Sequence, residues 1–321
     1  MIKVRLMRGA AADADVVRQV EAVAFGAWWR QWKGGSDDRP PRTRANILAC
    51  REKEPEGCFV AEEDGQVVGS IFSRTWGGVG WFGNLVVLPE YQGRGISKRL
   101  IAASLEYLCQ EPGRVIGLET MPESPYNLGL YLRQGFQARL PTLLLAKVLE
   151  QPIAQDPVLP CWSSADAEMQ ERWLSDLRGA TGQIQPGLDY SKAVTSTARH
   201  GLGETLVLMD STSAVGLSTV WLTSIREGWG EEQAGVQVLA LHPAHTEEKS
   251  FRALLDASEA LARAHGKRAL TLSVNACHPW ALQQLLKWGY RIERAMLRMV
   301  LKGTDEGPTT DNCVNLSRWA G

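Results

Sequence analysis

Through the first 150 residues the apolar positions switch between the period of a strand and the period of a helix, and the switches mark the elements. Residues 2–7 predict a strand, and 13–25 a helix begun by Asp13 or Asp15, with Val16, Val17, Val20 and Val23 on one face. Residues 58–62 and 66–73 read as strands joined by Asp64-Gly65, a pair that accepts the positive φ of a tight hairpin turn. Further strands are expected at 80–88, 114–120 and 140–147, with helices at 95–109 and 125–134; Gly135 is placed to cap the latter. The order is β-α-β-β-β-α-β-α-β, and 26–57 leaves room for another helix.

The same pattern then returns. Sliding the chain by 154 positions aligns 85–147 with 239–301 without a gap. Twelve of those 63 positions are identical, where average residue usage predicts about four. They include Leu85/Leu239, Pro89/Pro243, Leu118/Leu272, Pro125/Pro279 and Gly135/Gly289. A second block, 59–69, matches 206–216. An ungapped register of this length points to internal duplication. Between the copies lies LEQPIAQDPVLP at 149–160, whose prolines and lack of periodicity read as a linker. The expected units are 1–148, the linker 149–160, a second unit at 161–303 and a tail at 304–321.

Composition narrows the classes. With 321 residues, 44% of them hydrophobic, and a net charge of −1, the chain suits two globular units and lacks the basic excess of a nucleic-acid binder. No stretch is long and apolar enough for a signal peptide or a membrane span, and six scattered cysteines form no Cys-x-x-Cys pair. A cytoplasmic protein without a metal site, nucleic-acid partner or membrane is therefore expected. All five histidines lie in the second half, so chemistry confined to the first must work without imidazole.

The most specific motif follows the fourth strand: Leu88-Pro89-Glu90-Tyr91-Gln92-Gly93-Arg94-Gly95-Ile96-Ser97, running into an apolar-periodic helix. A glycine turn opening a helix presents successive N–H groups and the positive end of the helix dipole, a setting for a pyrophosphate. Arg94 and Lys98 add charge. Here the sequence resembles the GCN5-related N-acetyltransferase (GNAT) family. Its Gln/Arg-x-x-Gly-x-Gly/Ala signature stands as Gln92-x-x-Gly95-x-Ser97, and its Tyr-x-x-x-Gly-Phe helix end as Tyr131-Leu-Arg-Gln-Gly135-Phe136. Ser97 replaces a small Gly or Ala, and Ser124 stands where the family often has Asn. The resemblance implies two tandem GNAT-like α/β domains, each a mixed, mostly antiparallel sheet flanked by helices, with acetyl-CoA or another acyl-CoA as co-substrate.

It also implies site residues. The pantetheine arm would lie between splayed fourth and fifth strands along Leu85, Val86 and Val87. The phosphates would meet Gln92, Gly93, Arg94, Gly95, Ile96, Ser97 and Lys98, with Ser124 and Asn127 further along the arm. Tyr131 would protonate the departing thiolate, although periodicity alone puts it on a core face with Leu128 and Leu132. An attacking alkylammonium, with a pKa of about 10, must first lose a proton. Glu119, at the end of its strand, is the best-placed base and Glu123 a lesser one; either also fits a solvated carboxylate. Trp28, Trp29 and Trp32 would line an acceptor pocket or pack the halves together.

In the second half the loop reads Pro243-Ala244-His245-Thr246-Glu247-Glu248-Lys249, with carboxylates in place of Gly93 and Arg94, Thr246 set to start the helix, and Leu285 in place of Tyr131. That half is expected to have lost the cofactor, and His278 reads as a satisfied structural histidine. The function implied is N-acyl transfer to an amine by direct attack. The alternatives are a non-catalytic acyl-CoA sensor and an inert scaffold. Small amine, antibiotic, amino acid, peptide terminus and protein lysine all fit as acceptor, and a monomer is favoured over a dimer.

Overall fold

A computed structural model describes residues 1–9, 11–33, 40–150, 158–228, 230–304, 306–307 and 313–319. The first half runs β1 (Lys3–Leu6), α1 (Ala11–Lys33), α2 (Arg44–Lys53), β2 (Cys58–Glu63), β3 (Gln66–Trp76), β4 (Val79–Val87), α3 (Ile96–Leu108), β5 (Val115–Thr120), α4 (Pro125–Arg133), β6 (Phe136–Ala138) and β7 (Thr142–Val148). The second runs α5 (Ala167–Ile184), α6 (Ser191–Arg199), β8 (Gly203–Asp210), β9 (Ser213–Trp221), β10 (Gln233–Leu241), α7 (Glu248–Ala264), β11 (Ala269–Asn275), α8 (Pro279–Lys287), β12 (Arg291–Leu301) and β13 (Asn315–Ser317). The repeat is exact in places: β4 and α4 reappear as β10 and α8 at the 154-residue shift.

Several local expectations hold for visible reasons. Asp64 and Gly65 take φ of 51° and 83°, the doubly positive geometry of a two-residue hairpin, and Gly135 closes α4 at φ 88°. The first helix differs. It is longer than 13–25, and Asp13 sits inside its first turn, held by the Arg5 guanidinium (2.7 Å) and the Arg8 N–H (2.7 Å). Its buried face is Ala14, Val17, Val20, Glu21 and Ala24, whereas Val16 and Val23 are exposed. Buried Glu21 turns the face that way because Arg42 meets it with two bonds of 2.6 and 2.7 Å, which offset the cost of burying both charges. α2 fills the expected gap, capped by Thr43, whose hydroxyl accepts from the Asn46 N–H at 3.2 Å.

The strands form one sheet in the order β1-β2-β3-β4-β5-β12-β7-β11-β10-β9-β8. Each half therefore gives its last long strand to the other. β12 pairs with β5 of the first half, β7 with β11 of the second, and the two cross antiparallel at the centre, from Met296 opposite Thr142 to Arg291 opposite Ala146. Only β4–β5 and β10–β11 are parallel among the described pairings. Two apolar clusters serve the individual halves, and a third joins them. In that third cluster tryptophans from the two halves meet across the junction. Trp319, beyond β13, packs 5.8 Å from Trp76 and 4.7 Å from Trp81, with the Arg298 guanidinium 4.3 Å from its ring.

Candidate active site

The site begins where β4 and β5 part. They pair from Val79–Val115 to Trp81–Gly117 and then diverge, because β4 bulges and β5 is bound to β12 along its other edge. The bulge centres on Asn84, a non-glycine residue at φ 54°, whose side chain accepts from Arg74 at 3.1 Å. Leu85, Val86 and Val87 follow on the splayed stretch, still tied to β3 on the far side.

At the end of β4 a single turn at Pro89–Tyr91 leads into the glycine loop. Gly93 and Gly95 take φ of 77° and 78°, and nothing lies within 4 Å of where a Cβ would stand on either. The backbone N–H groups of Gly93 through Lys98 donate to no acceptor among the described residues. Six donors thus stand without an acceptor at a helix N-terminus, an arrangement that fits a pyrophosphate. The side chains divide the work differently from expectation. Gln92 turns back to brace the Val87 carbonyl at 3.1 Å, and Arg94 pairs with Glu63 at 2.5 Å over the Tyr91 ring. The Ser124 hydroxyl, buried, caps α4 by accepting from the Asn127 N–H at 3.3 Å.

The splay opens into a cavity of about 600 Å³ between the halves, whose lining includes Leu85, Glu119, Asn127 and Tyr131. Tyr131 is buried against Phe82 and Phe136, and its hydroxyl has no hydrogen bond among the described residues. Burial raises its pKa, so it stays protonated. The Glu119 carboxyl accepts from Thr142 Oγ1 at 2.6 Å, and Thr142 in turn accepts from Asn275 Nδ2 at 3.0 Å, so the second half's β11 helps to hold it. Burial raises the Glu119 pKa against the opposing pull of Arg298 and the Thr142 bond. Of the three tryptophans, Trp29 lines the cavity and Trp28 packs 6.0 Å from it; the side chain of Trp32 lies outside the described residues. Glu123 is exposed and not part of the lining. Arg74, Arg294 and Arg318 also line the cavity and were not anticipated: they stand far apart in sequence, and one is in the tail.

The equivalent place in the second half is filled. β10 and β11 pair over the same three positions and then part, but β13 runs into the gap, pairing Val238 with Ser317 and Ala240 with Asn315. Part of the expected tail, Asn315–Ser317, is thus a strand of the sheet. The loop there is closed on itself: the N–H groups of Ala244, His245, Thr246 and Glu247 go to His242 Nδ1, His242 O, Pro243 O and His245 O. Thr246 does not start the helix. Its hydroxyl donates to the His242 carbonyl at 3.3 Å, and Glu247 takes the capping position. Leu285, at the place of Tyr131, is fully buried. His278 departs from expectation, since its buried Nδ1 has no partner among the described residues; burial, with Arg298 nearby, lowers its pKa to about 4.

These features define a tandem α/β protein in which one splayed sheet faces an open glycine loop and its twin is plugged. Residues 23–136 match the family described as Acetyltransferase (GNAT) family. A mycothiol acetyltransferase from Cellulomonas flavigena is 31% identical over 139 residues, covering 39% of this chain and 37% of that protein. The chain thus spans well under two thirds of that relative. A solved structure of a candidate acetyltransferase from Pyrococcus horikoshii superposes with a TM-score of 0.69 at 17% identity, covering 99% of this chain and 95% of that one. A tandem GNAT protein from the clavulanic acid biosynthesis pathway gives 0.58 at 14% identity, covering 97% and 100%. At these identities the likeness is one of fold.

Proposed function

We propose that the chain is an N-acyltransferase with a single working site in its first half. What carries the reading is the meeting, in one cavity, of the Tyr131 hydroxyl, the Glu119 carboxyl and the open side of the β4–β5 splay. Acyl-CoA would supply the activated acyl group as a thioester. The N–H groups of Gly93–Lys98 would hold its pyrophosphate, and the unpaired edge of β4 at Leu85–Val87 its arm. Glu119 takes the proton that an attacking ammonium must lose, its raised pKa suiting it to do so near neutrality. Tyr131, kept protonated by burial, donates to the departing thiolate. Transfer is direct in this reading, because no cysteine stands on the glycine loop or on α4, and Cys50, which lines the cavity, is buried in α2.

The test is acetyl-CoA calorimetry on the whole chain followed by acceptor screening. One molecule bound per chain and lost in Gly95→Glu is the expected result. Two would mean that the plugged half also binds, and none would end the reading. Tyr131→Phe separates an enzyme from a sensor: turnover falls in the first, while binding is unchanged in both.

A further inference from the structure

Glu119 sits where the two halves exchange strands. β12 changes partner between Met296, opposite Thr142 of β7, and Leu297, opposite Thr120 of β5, so the end of β5 and the start of β7 meet there. β7 in turn sets Thr142 directly opposite Asn275 of β11. Thr142 and Asn275 are only 3% and 6% exposed, and burying such polar groups is costly unless each finds its partners. Here every hydrogen is placed. The Asn275 Nδ2 donates to the Leu140 carbonyl at 2.9 Å and to Thr142 Oγ1 at 3.0 Å, while its Oδ1 accepts from the Cys277 N–H at 3.0 Å. Turning the amide over would set like against like at both backbone partners, so its orientation is fixed. With a donor already pointing at Thr142 Oγ1, the single hydroxyl hydrogen is directed at Glu119 Oε1, 2.6 Å away. Glu119 Oε2 makes no hydrogen bond among the described residues and is not buried, on a residue that lines the cavity.

The repeat shows that this chain of bonds is no by-product of strand exchange. At the 154-residue shift the counterparts of Glu119, Thr142 and Asn275 are Ser273, Met296 and Met121. A methionine side chain has no hydrogen to donate, so the chain runs only from the second half towards the first.

Building on the acyltransferase reading, we infer that Asn275 and Thr142 are positioning residues, through which the second half holds Glu119 as a hydrogen-bonded carboxylate and leaves its Oε2 to take the acceptor's proton. That proton passes from the ammonium nitrogen to Oε2, and the freed lone pair attacks the thioester carbonyl. A hydrogen bond donated to a carboxylate favours its charged form. Burial raises the Glu119 pKa most; Arg298, directly opposite on β12, the Thr142 bond and Arg318 lower it, and Glu306, itself paired with Arg298 at 3.2 Å, raises it. Removing the Thr142 bond leaves the others in place.

The test is the titration of Glu119 itself, followed by NMR in the full chain with glutamate labelled at its side-chain carboxyl carbon and assigned by the signal lost in Glu119→Gln. In Thr142→Val, which removes the hydroxyl and keeps the shape, the midpoint should move to higher pH. Thr142→Ser should restore it, and Asn275→Leu should move it the same way by less. A cooperative melting transition shows that each variant is folded, and Asn275→Ala replaces Asn275→Leu if the latter is not. The pH profile of kcat with an amine acceptor should follow: on its rising limb Thr142→Val should lose about 10-fold, as for a lost hydrogen bond to a charged group, with the plateau and the acetyl-CoA affinity kept. A midpoint equal in wild type and Thr142→Val would overturn the inference and leave the acyltransferase standing. A midpoint unmoved by loss of Asn275 alone would overturn the second half's part in it. A shifted midpoint with no transfer in the wild type, or with a kcat limb that survives Glu119→Gln, would remove Glu119 as the base and the inference with it.

Discussion

The two splayed clefts start from the same register and end in opposite states. Between β4 and β5 the gap is open and the N–H of Gly93 donates to no acceptor among the described residues; between β10 and β11 the gap holds β13, and the N–H of Glu247, the counterpart of Gly93, is turned to the His245 carbonyl. The same backbone plan can therefore hold a ligand or a piece of its own chain. What separates the outcomes is small: two glycines with positive φ against Glu247 and Lys249, and a tail long enough to reach one gap. The second cleft needs no ligand because a strand satisfies the backbone groups that the splay exposes.

Breaking this contrast should be easiest at the open loop. Gly95→Glu adds both an unfavourable backbone conformation and a negative charge at the phosphate position, so acetyl-CoA affinity should fall by roughly 100-fold or more, as calorimetry would register. Glu247→Gly, which restores the counterpart of Gly93, should create no second site, since β13 still fills that gap; a second bound molecule would break the comparison. Tyr131→Phe should lower kcat by roughly 100-fold with little change in acetyl-CoA affinity. Glu119→Gln should cost about 10-fold in kcat and alter its pH dependence. A base works deprotonated, so the wild-type rate climbs with pH through the raised pKa of Glu119 and then levels; that limb should vanish in the variant.

Two further changes sharpen the plugged side. Leu316, fully buried on β13, should cost about 2–4 kcal/mol as Leu316→Ala, seen as a lower melting temperature. His278 provides the pH probe. Its folded pKa of about 4 lies below the ordinary 6.5, so the unfolded state binds the extra proton. Stability should be complete above 6.5, decline as pH falls from there to 4, and by then have lost on the order of 3 kcal/mol. His278→Ser, which installs the capping residue of the first half, should remove that decline and leave stability at neutral pH nearly unchanged.

What could be read from the chain was whatever depends on neighbours in sequence. The Asp64-Gly65 hairpin, the Gly135 cap and the glycine loop are local devices, and the repeat surfaced because α4 and α8 keep one spacing. The exchanged strands were not legible, since β7 and β12 carry patterns that suit either sheet and only pairing at long range decides. β13 is three residues long, too short for any periodicity. The long α1 misled for another reason: a buried Glu21 carries no apolar signal, so the face through Val17 and Ala24 was read one position off. Arg74, Arg294 and Arg318 reach the cavity from β3, β12 and the tail, which no window along the sequence contains.

The exchange of β7 and β12 bears on how such a chain changes over generations. A spare copy that merely sits beside its twin can decay and be lost without consequence. Here the second copy completes the sheet of the first through β12, steadies Glu119 through Asn275 and sends Arg318 to its cavity. Its shape therefore stays under selection whether or not it has chemistry of its own, so substitutions are tolerated at its loop while the strands that serve the neighbour are retained.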